Sequence, residues 1–199
     1  MMELNDVALI RTGVVTARKK PDSGKKKVFE YRLLNLKCVL SNGSINLLQT
    51  ELFSSGEELN ADFLTRKGDI LVRLSAPYTA ILIQRDEECG LLVPSHFAII
   101  RPNTEVILSE YLLWYLRRES TYQQILQNAS GSSAFGTISS GFLGTLSIRS
   151  IPLPKQKMLG QLQLLSEREN ELLLRLAEEK KKYNQMKINT IYESVKRGN

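Results

Sequence analysis

Hydrophobic and polar positions change their period twice along this chain. Over residues 28–34, 70–74, 80–83 and 98–102, short apolar or alternating stretches are bounded by turn residues, and each predicts a strand. In the second, Ile70, Val72 and Leu74 share one face and Leu71 and Arg73 the other; the last is ended by Pro102. Residues 6–15 predict a short helix or strand opening into Gly13, and Ser41-Asn42-Gly43-Ser44 is a turn signal. From Ser109, the predicted N-cap, the period becomes helical. Tyr111, Leu112, Tyr115, Leu116, Tyr122, Ile125 and Leu126 form one broad apolar face, which reads as core.

A hydroxyl-rich loop over residues 128–136 and a short strand around Leu146-Ser147-Ile148 lead into Pro152-Leu153-Pro154. Beyond it the period changes again. Met158, Leu162, Leu165, Glu169, Leu172, Leu176, Glu179, Tyr183 and Met186 recur at heptad spacing, with Gly160 the one glycine or proline before Gly198. A single helix of roughly 60 Å cannot bury that stripe against itself. The expected fold is therefore α+β: a mixed, β-rich domain over residues 1–154, then one long C-terminal coiled-coil helix over residues 155–199. In the seam, Leu162, Leu165, Leu172, Leu176 and Tyr183 are the expected dimer or partner contacts. Glu169 and Glu179 are placed to pair with Arg175, Lys180 or Lys182 of a partner and fix register.

Composition allows one ordinary core plus an appendage, with 42% apolar residues in 199. Cys38 and Cys89 form no metal-binding spacing and read as reduced structural thiols. No basic leader with an apolar core and no run of ~20 apolar residues is present, so a soluble, cytoplasmic protein without a membrane span is expected. The net charge of +6 is unevenly placed. Residues 1–154 hold 17 basic against 15 acidic side chains, and residues 155–199 hold 10 against 6. The run from Arg18 to Lys27 alone contributes six cations against Asp22. Lys19, Lys20, Lys25, Lys26 and Lys27 are the candidate phosphate contacts, which position a duplex without reading it.

The residues do not assemble a familiar catalytic pattern. Ser23-Gly24-Lys25-Lys26 lacks the upstream glycine and the Ser/Thr of a phosphate loop. Pro21-Asp22 with Glu30-Tyr31-Arg32 imitates a nuclease carboxylate pair but lacks its lysine. His96, the single histidine, has no cysteine or metal partner in the sequence and reads as structural. No glycine fingerprint for a nucleotide or methyl-donor cofactor appears, and no metal ligands are assigned.

The order of segments resembles the specificity subunit of type I restriction-modification systems. Lys67-Gly68-Asp69-Ile70-Leu71-Val72, the stretch from Pro94 to Pro102, the helix from Ser109 to Leu116, Gly131-Ser132-Ser133 and the stretch from Ile148 to Gln156 carry the resemblance. It implies a target recognition domain that reads double-stranded DNA and a helix that docks DNA adenine methyltransferase subunits. A restriction/translocase subunit joins them. It also implies a non-catalytic chain: methyl donor, ATP and magnesium belong to partner subunits. Family members commonly carry two recognition domains and two helical regions; this sequence holds one of each, and a homodimer through the helix is expected to supply the second. Beyond the lysines, Arg73, Ser75 and Tyr78, just past a predicted strand, and Ser130, Ser132 and Ser133 in the glycine/serine loop are the expected DNA contacts. The alternatives are a coiled-coil adaptor that reads no DNA and a small magnesium-dependent nuclease using Asp22 and Glu30.

Overall fold

The computed structural model describes residues 1–21, 28–40, 42–129 and 136–198. In chain order the regular elements are β1 (Met2–Glu3), α1 (Leu4–Val7), β2 (Ala8–Thr12), β3 (Phe29–Leu33), β4 (Glu51–Ser55), β5 (Ile70–Arg73), β6 (Ala80–Leu82), β7 (Phe97–Pro102), α2 (Ser109–Arg117), α3 (Glu119–Asn128), α4 (Ser140–Gly144), β8 (Ser147–Ile148) and α5 (Leu153–Arg197). They fall into two compact units, Met1–Gly160 and Gln161–Asn199. The architecture is a β-rich α+β domain followed by a long helix. The boundary lies six residues beyond the expected one, because the first turns of α5 belong to the globular unit.

The first unit is organised by an antiparallel sheet in the order β2-β7-β5-β6. Side-chain alternation sorts its residues onto two faces. Leu71, Ile81, Phe97 and Ile99 enter one core cluster with Leu34, Cys38, Ile45 and Val93. Ile70, Val72, Ala98 and Ile100, equally buried, lie on the opposite face, where α2 packs against β6 and α4 against β2. The expected pairing of faces in β5 thus holds. β3 pairs with β4, a strand the sequence pattern did not reveal, and Tyr31 and Leu33 pack on a second cluster formed by Val14, Phe53, Leu59 and Leu92. Burial pushes the Cys38 thiol up from its ordinary value, and Cys38 and Cys89 are free.

Helix α2 departs from the expectation in two respects. Its N-cap is Leu108, and Ser109 is already helical. The Ser109 hydroxyl donates to Gly68 O at 2.8 Å, so it is engaged by the turn before β5. The apolar face from Tyr111 to Leu126 is also shared between two helices, because Arg118 adopts an extended conformation (φ −64°, ψ 141°) and caps α3. No glycine or proline marks that break. The tyrosines of α2 are tied to the return strand: Tyr111 donates to Arg149 O and Tyr115 to Ser147 O, each at 2.9 Å.

At one end of the sheet, Arg101 of β7 grips Asp69. Its Nε and a terminal nitrogen each lie 2.8 Å from a carboxylate oxygen, while Arg66 N–H donates to the same carboxylate at 2.8 Å. The Asp69 side chain is 1% exposed. A buried carboxylate needs such saturation, since removing one member of a buried pair costs about 3–5 kcal/mol. Arg101→Leu should therefore lower unfolding free energy by about 3 kcal/mol, read as a lower urea midpoint. Arg66→Ala, with its more exposed side chain, should cost under about 1 kcal/mol.

Candidate nucleic-acid interface

The other end of the sheet is built differently. β5 and β7 pair Arg73 with Phe97, and β2 and β7 pair Thr12 with Ala98, so the exits of β2 and β5 flank the turn entering β7. Beyond β5 the chain makes an antiparallel bridge, Ser75 to Thr137. Leu74 O accepts from Ile138 N–H at 2.9 Å, and Gly136 O from Ala76 N–H at 3.3 Å. The segment following the glycine/serine loop is thereby bound to the segment following β5. Segments separated by about sixty residues in sequence are joined in this way. Ser130, Ser132 and Ser133 themselves lie outside the described residues.

Arg73 is half-buried, and its Nε donates to Ser75 Oγ at 3.3 Å. Its terminal nitrogens have no hydrogen-bond or ion-pair partner among the described residues. A guanidinium held along one edge and open on the other is arranged for a bidentate acceptor. Tyr78 has an internal role as well: its hydroxyl donates to Gly136 O at 2.8 Å, and its ring meets Tyr122 edge-on with centroids 6.3 Å apart. Burial, then the neighbouring Tyr122, pushes the Tyr78 phenol up from its ordinary value. Tyr78 thus fastens α3 and the loop exit to the β5–β6 connection.

Among the lysines, Lys19 forms an ion pair with Glu57, and Lys20 is exposed. Lys25, Lys26 and Lys27 lie outside the described residues, as does Asp22. Glu30, the other carboxylate of the nuclease alternative, is exposed on β3 opposite Ser54. His96, read from sequence as structural, is exposed in the turn between the exits of β2 and β5. The signal that could have found it is the strand entry immediately after it.

The second unit carries the seam. Leu162, Leu165, Leu172, Leu176 and Tyr183 are 63%, 68%, 48%, 64% and 56% exposed. Glu179 pairs within its own helix with Lys182 at 2.9 Å, and that hydrogen bond, then the charge behind it, holds the Glu179 carboxyl down and the Lys182 ammonium up. Ile188, Ile191, Tyr192 and Val195 extend the exposed apolar surface towards the C-terminal end. No helix among the described residues is long and apolar enough to cross a membrane.

Neither a family model nor a curated protein matches the chain. Solved structures do. One, from work on complex assembly and conformational transition of the type I R-M system, superposes with a TM-score of 0.63 at 17% identity, covering 86% of this chain and 43% of that one. The HsdS subunit from Thermoanaerobacter tengcongensis gives 0.60 at 19% identity, covering 86% and 42%. The S subunit of a type I restriction-modification system from M. genitalium gives 0.52 at 15%, covering 85% and 39%. The chain has the fold of these S subunits and spans about two fifths of their length.

Removing the Tyr78 hydroxyl tests its fastening role. Tyr78→Phe should cost about 1 kcal/mol in urea unfolding and speed amide exchange at Ala76 and Ile138, while leaving exchange in β7 unchanged.

Proposed function

We propose that this chain is a DNA sequence-recognition subunit of a type I restriction-modification enzyme. Its globular unit reads a duplex with the open end of the β2-β7-β5-β6 sheet, and its helix docks DNA adenine methyltransferase subunits and a second copy of the chain. Methyl transfer and ATP-driven steps reside on partner subunits, which hold the methyl donor, ATP and magnesium. The observation that carries this reading is that the likeness to S subunits covers more of the chain than the first unit alone could supply. That likeness supports a recognition domain followed by a helix.

Physical features of both units support it. The open sheet end offers a poised guanidinium at Arg73, while exposed Lys20 adds positive charge of the kind that contacts phosphates. The 45 residues of α5, at ~1.5 Å each, make a rod of about 67 Å. Antiparallel pairing of two such helices by a two-fold axis gives each recognition domain its own half-site, so the target is bipartite and palindromic. A rod of that length spans about two duplex turns of ~34 Å. The seam explains why so many leucines stand in water: contiguous apolar surface of this extent marks a contact with another chain.

Charged residues in the seam should separate the copies. Leu165→Glu with Leu172→Glu is expected to convert a dimer to a monomer by light scattering at tens of micromolar; a monomeric parent chain would count against self-pairing. On the DNA side, Arg73→Ala should weaken binding to the preferred duplex about tenfold or more relative to random duplex. Lys20→Ala should weaken all duplexes alike and reduce the slope of log affinity against log salt by about one. Equal binding by both variants and the parent, measured by fluorescence anisotropy, would refute the interface.

A further inference from the structure

We propose that His96 is a specificity-determining residue that reads a base edge beside the base read by Arg73; this rests on the DNA-recognition reading above. The turn that carries it is fixed from both flanking strands. Ser95 N–H donates to Val14 O at 2.8 Å, Phe97 N–H to Pro94 O at 3.1 Å, and His96 O accepts from Leu74 N–H at 2.9 Å. Gly13 N–H closes the arrangement on Phe97 O at 2.9 Å. Gly13 permits this approach, because a Cβ there would fall 2.3 Å from Pro94 O. Pro94 and Phe97 are buried on either side, Phe97 completely. The backbone at position 96 is therefore as immobile as the core, while its side chain is exposed.

That combination has no structural use among the described residues. The imidazole makes no hydrogen bond, ion pair or ring contact with any described residue. A buried histidine stabilises through its partners, and an idle exposed one on a loose loop has no defined direction. A ring held on a rigid strand entry has direction, and one N–H with one acceptor nitrogen makes it a single-contact reader. His96 directly precedes Phe97, the residue paired with Arg73, and neighbouring strands lie ~4.8 Å apart against a base-pair rise of ~3.4 Å, so the two positions at this sheet end stand within reach of neighbouring base pairs. Purines present N7 as an acceptor in the major groove, and guanine adds O6. An imidazole N–H donating to a purine N7 next to the pair gripped by Arg73 is the contact this geometry makes.

The test uses the full chain and a pool of duplexes randomised over the half-site. Selection with the parent chain defines its preferred duplex, and anisotropy titrations at one salt concentration then compare single-pair substitutions. His96→Ala is expected to bind random duplex like the parent and to lose about tenfold preference at one base pair, adjacent to the pair at which Arg73→Ala loses its own. His96→Gln, which keeps a donor and an acceptor, should shift preference at that same pair towards adenine. Unchanged preference at every pair in both variants overturns the assignment, and so does uniform weakening with a salt slope lower by about one, which marks a phosphate contact. A parent chain that binds no duplex overturns the recognition reading itself, and that result is seen before any variant is compared.

Discussion

A single buried amide anchors the start of α5 within the globular unit. Gln156, in the first turn of α5, is 2% exposed, and its side chain satisfies three backbone groups at once. Its Oε1 accepts from Leu108 N–H at 2.8 Å, and its Nε2 donates to Val106 O at 3.0 Å and Ile151 O at 2.8 Å. Leu108 is the N-cap of α2, so the start of one helix is capped by the side chain of another. One turn on, Gly160 lies so close to α2 that a Cβ would stand 2.5 Å from Glu110 Cβ and 2.9 Å from Tyr111 N. Each group left unsatisfied in such a place costs about 1–3 kcal/mol. The root of the long helix is therefore part of the globular core.

The sheet divides its labour between its two ends. Where β5 begins and β7 ends, Asp69 and Arg101 close a buried pair. Asp62 adds ion pairs to Arg101 at 3.4 Å, Arg11 at 3.0 Å and Arg66 at 3.0 Å. Gly68, with φ at +88°, makes the turn that brings Asp69 round. At that end cations and carboxylates are matched. At the opposite end the terminal nitrogens of Arg73 and the ring of His96 have no partner among the described residues, although the backbone there is just as tightly bonded. Stability placed at one end leaves polar side chains at the other free of structural duty, which is what a reading surface requires.

Legibility in the sequence followed the range of the interactions. β5, β6 and β7 were visible because burial on both faces demands short runs of Ile, Leu and Val, and α5 because a heptad is a local pattern. The split at Arg118 was not, since an extended residue without glycine or proline leaves no signal and both helices turn apolar faces inward. β4 was missed because Leu52 is 70% exposed and the two residues that face the core are Phe53 and the polar Ser55. Arg73, Ser75 and Tyr78 were chosen as candidates by their place after a strand, and the structure puts them at the exit of β5. His96 was set aside because it was weighed as a ligand or base, and nothing local indicates that antiparallel order brings residues 73 and 97 together. Ser109 was misread because its partner, Gly68 O, is 41 residues away.

The proposed activity asks the two units for different physics. Base reading depends on side chains held to a fraction of an ångström, and the strand exits provide that through backbone hydrogen bonds on both sides of each reader. Affinity depends on charge, which long lysine side chains supply without precision. Choice of target length depends on neither; it is set by the helix, whose intrahelical pairs, Arg168–Glu171 and Glu179–Lys182, are solvated and weak and so leave the leucine seam as the main source of association energy. Because Glu169 interrupts that seam and Glu179 is already engaged, register rests on the spacing of Leu162, Leu165, Leu172, Leu176 and Tyr183. In the proposed dimer a shift by one heptad would expose a leucine at each end and change the half-site separation by about 10 Å per helix at ~1.5 Å per residue, so the residues proposed to hold two copies together would also set the distance between their recognition domains.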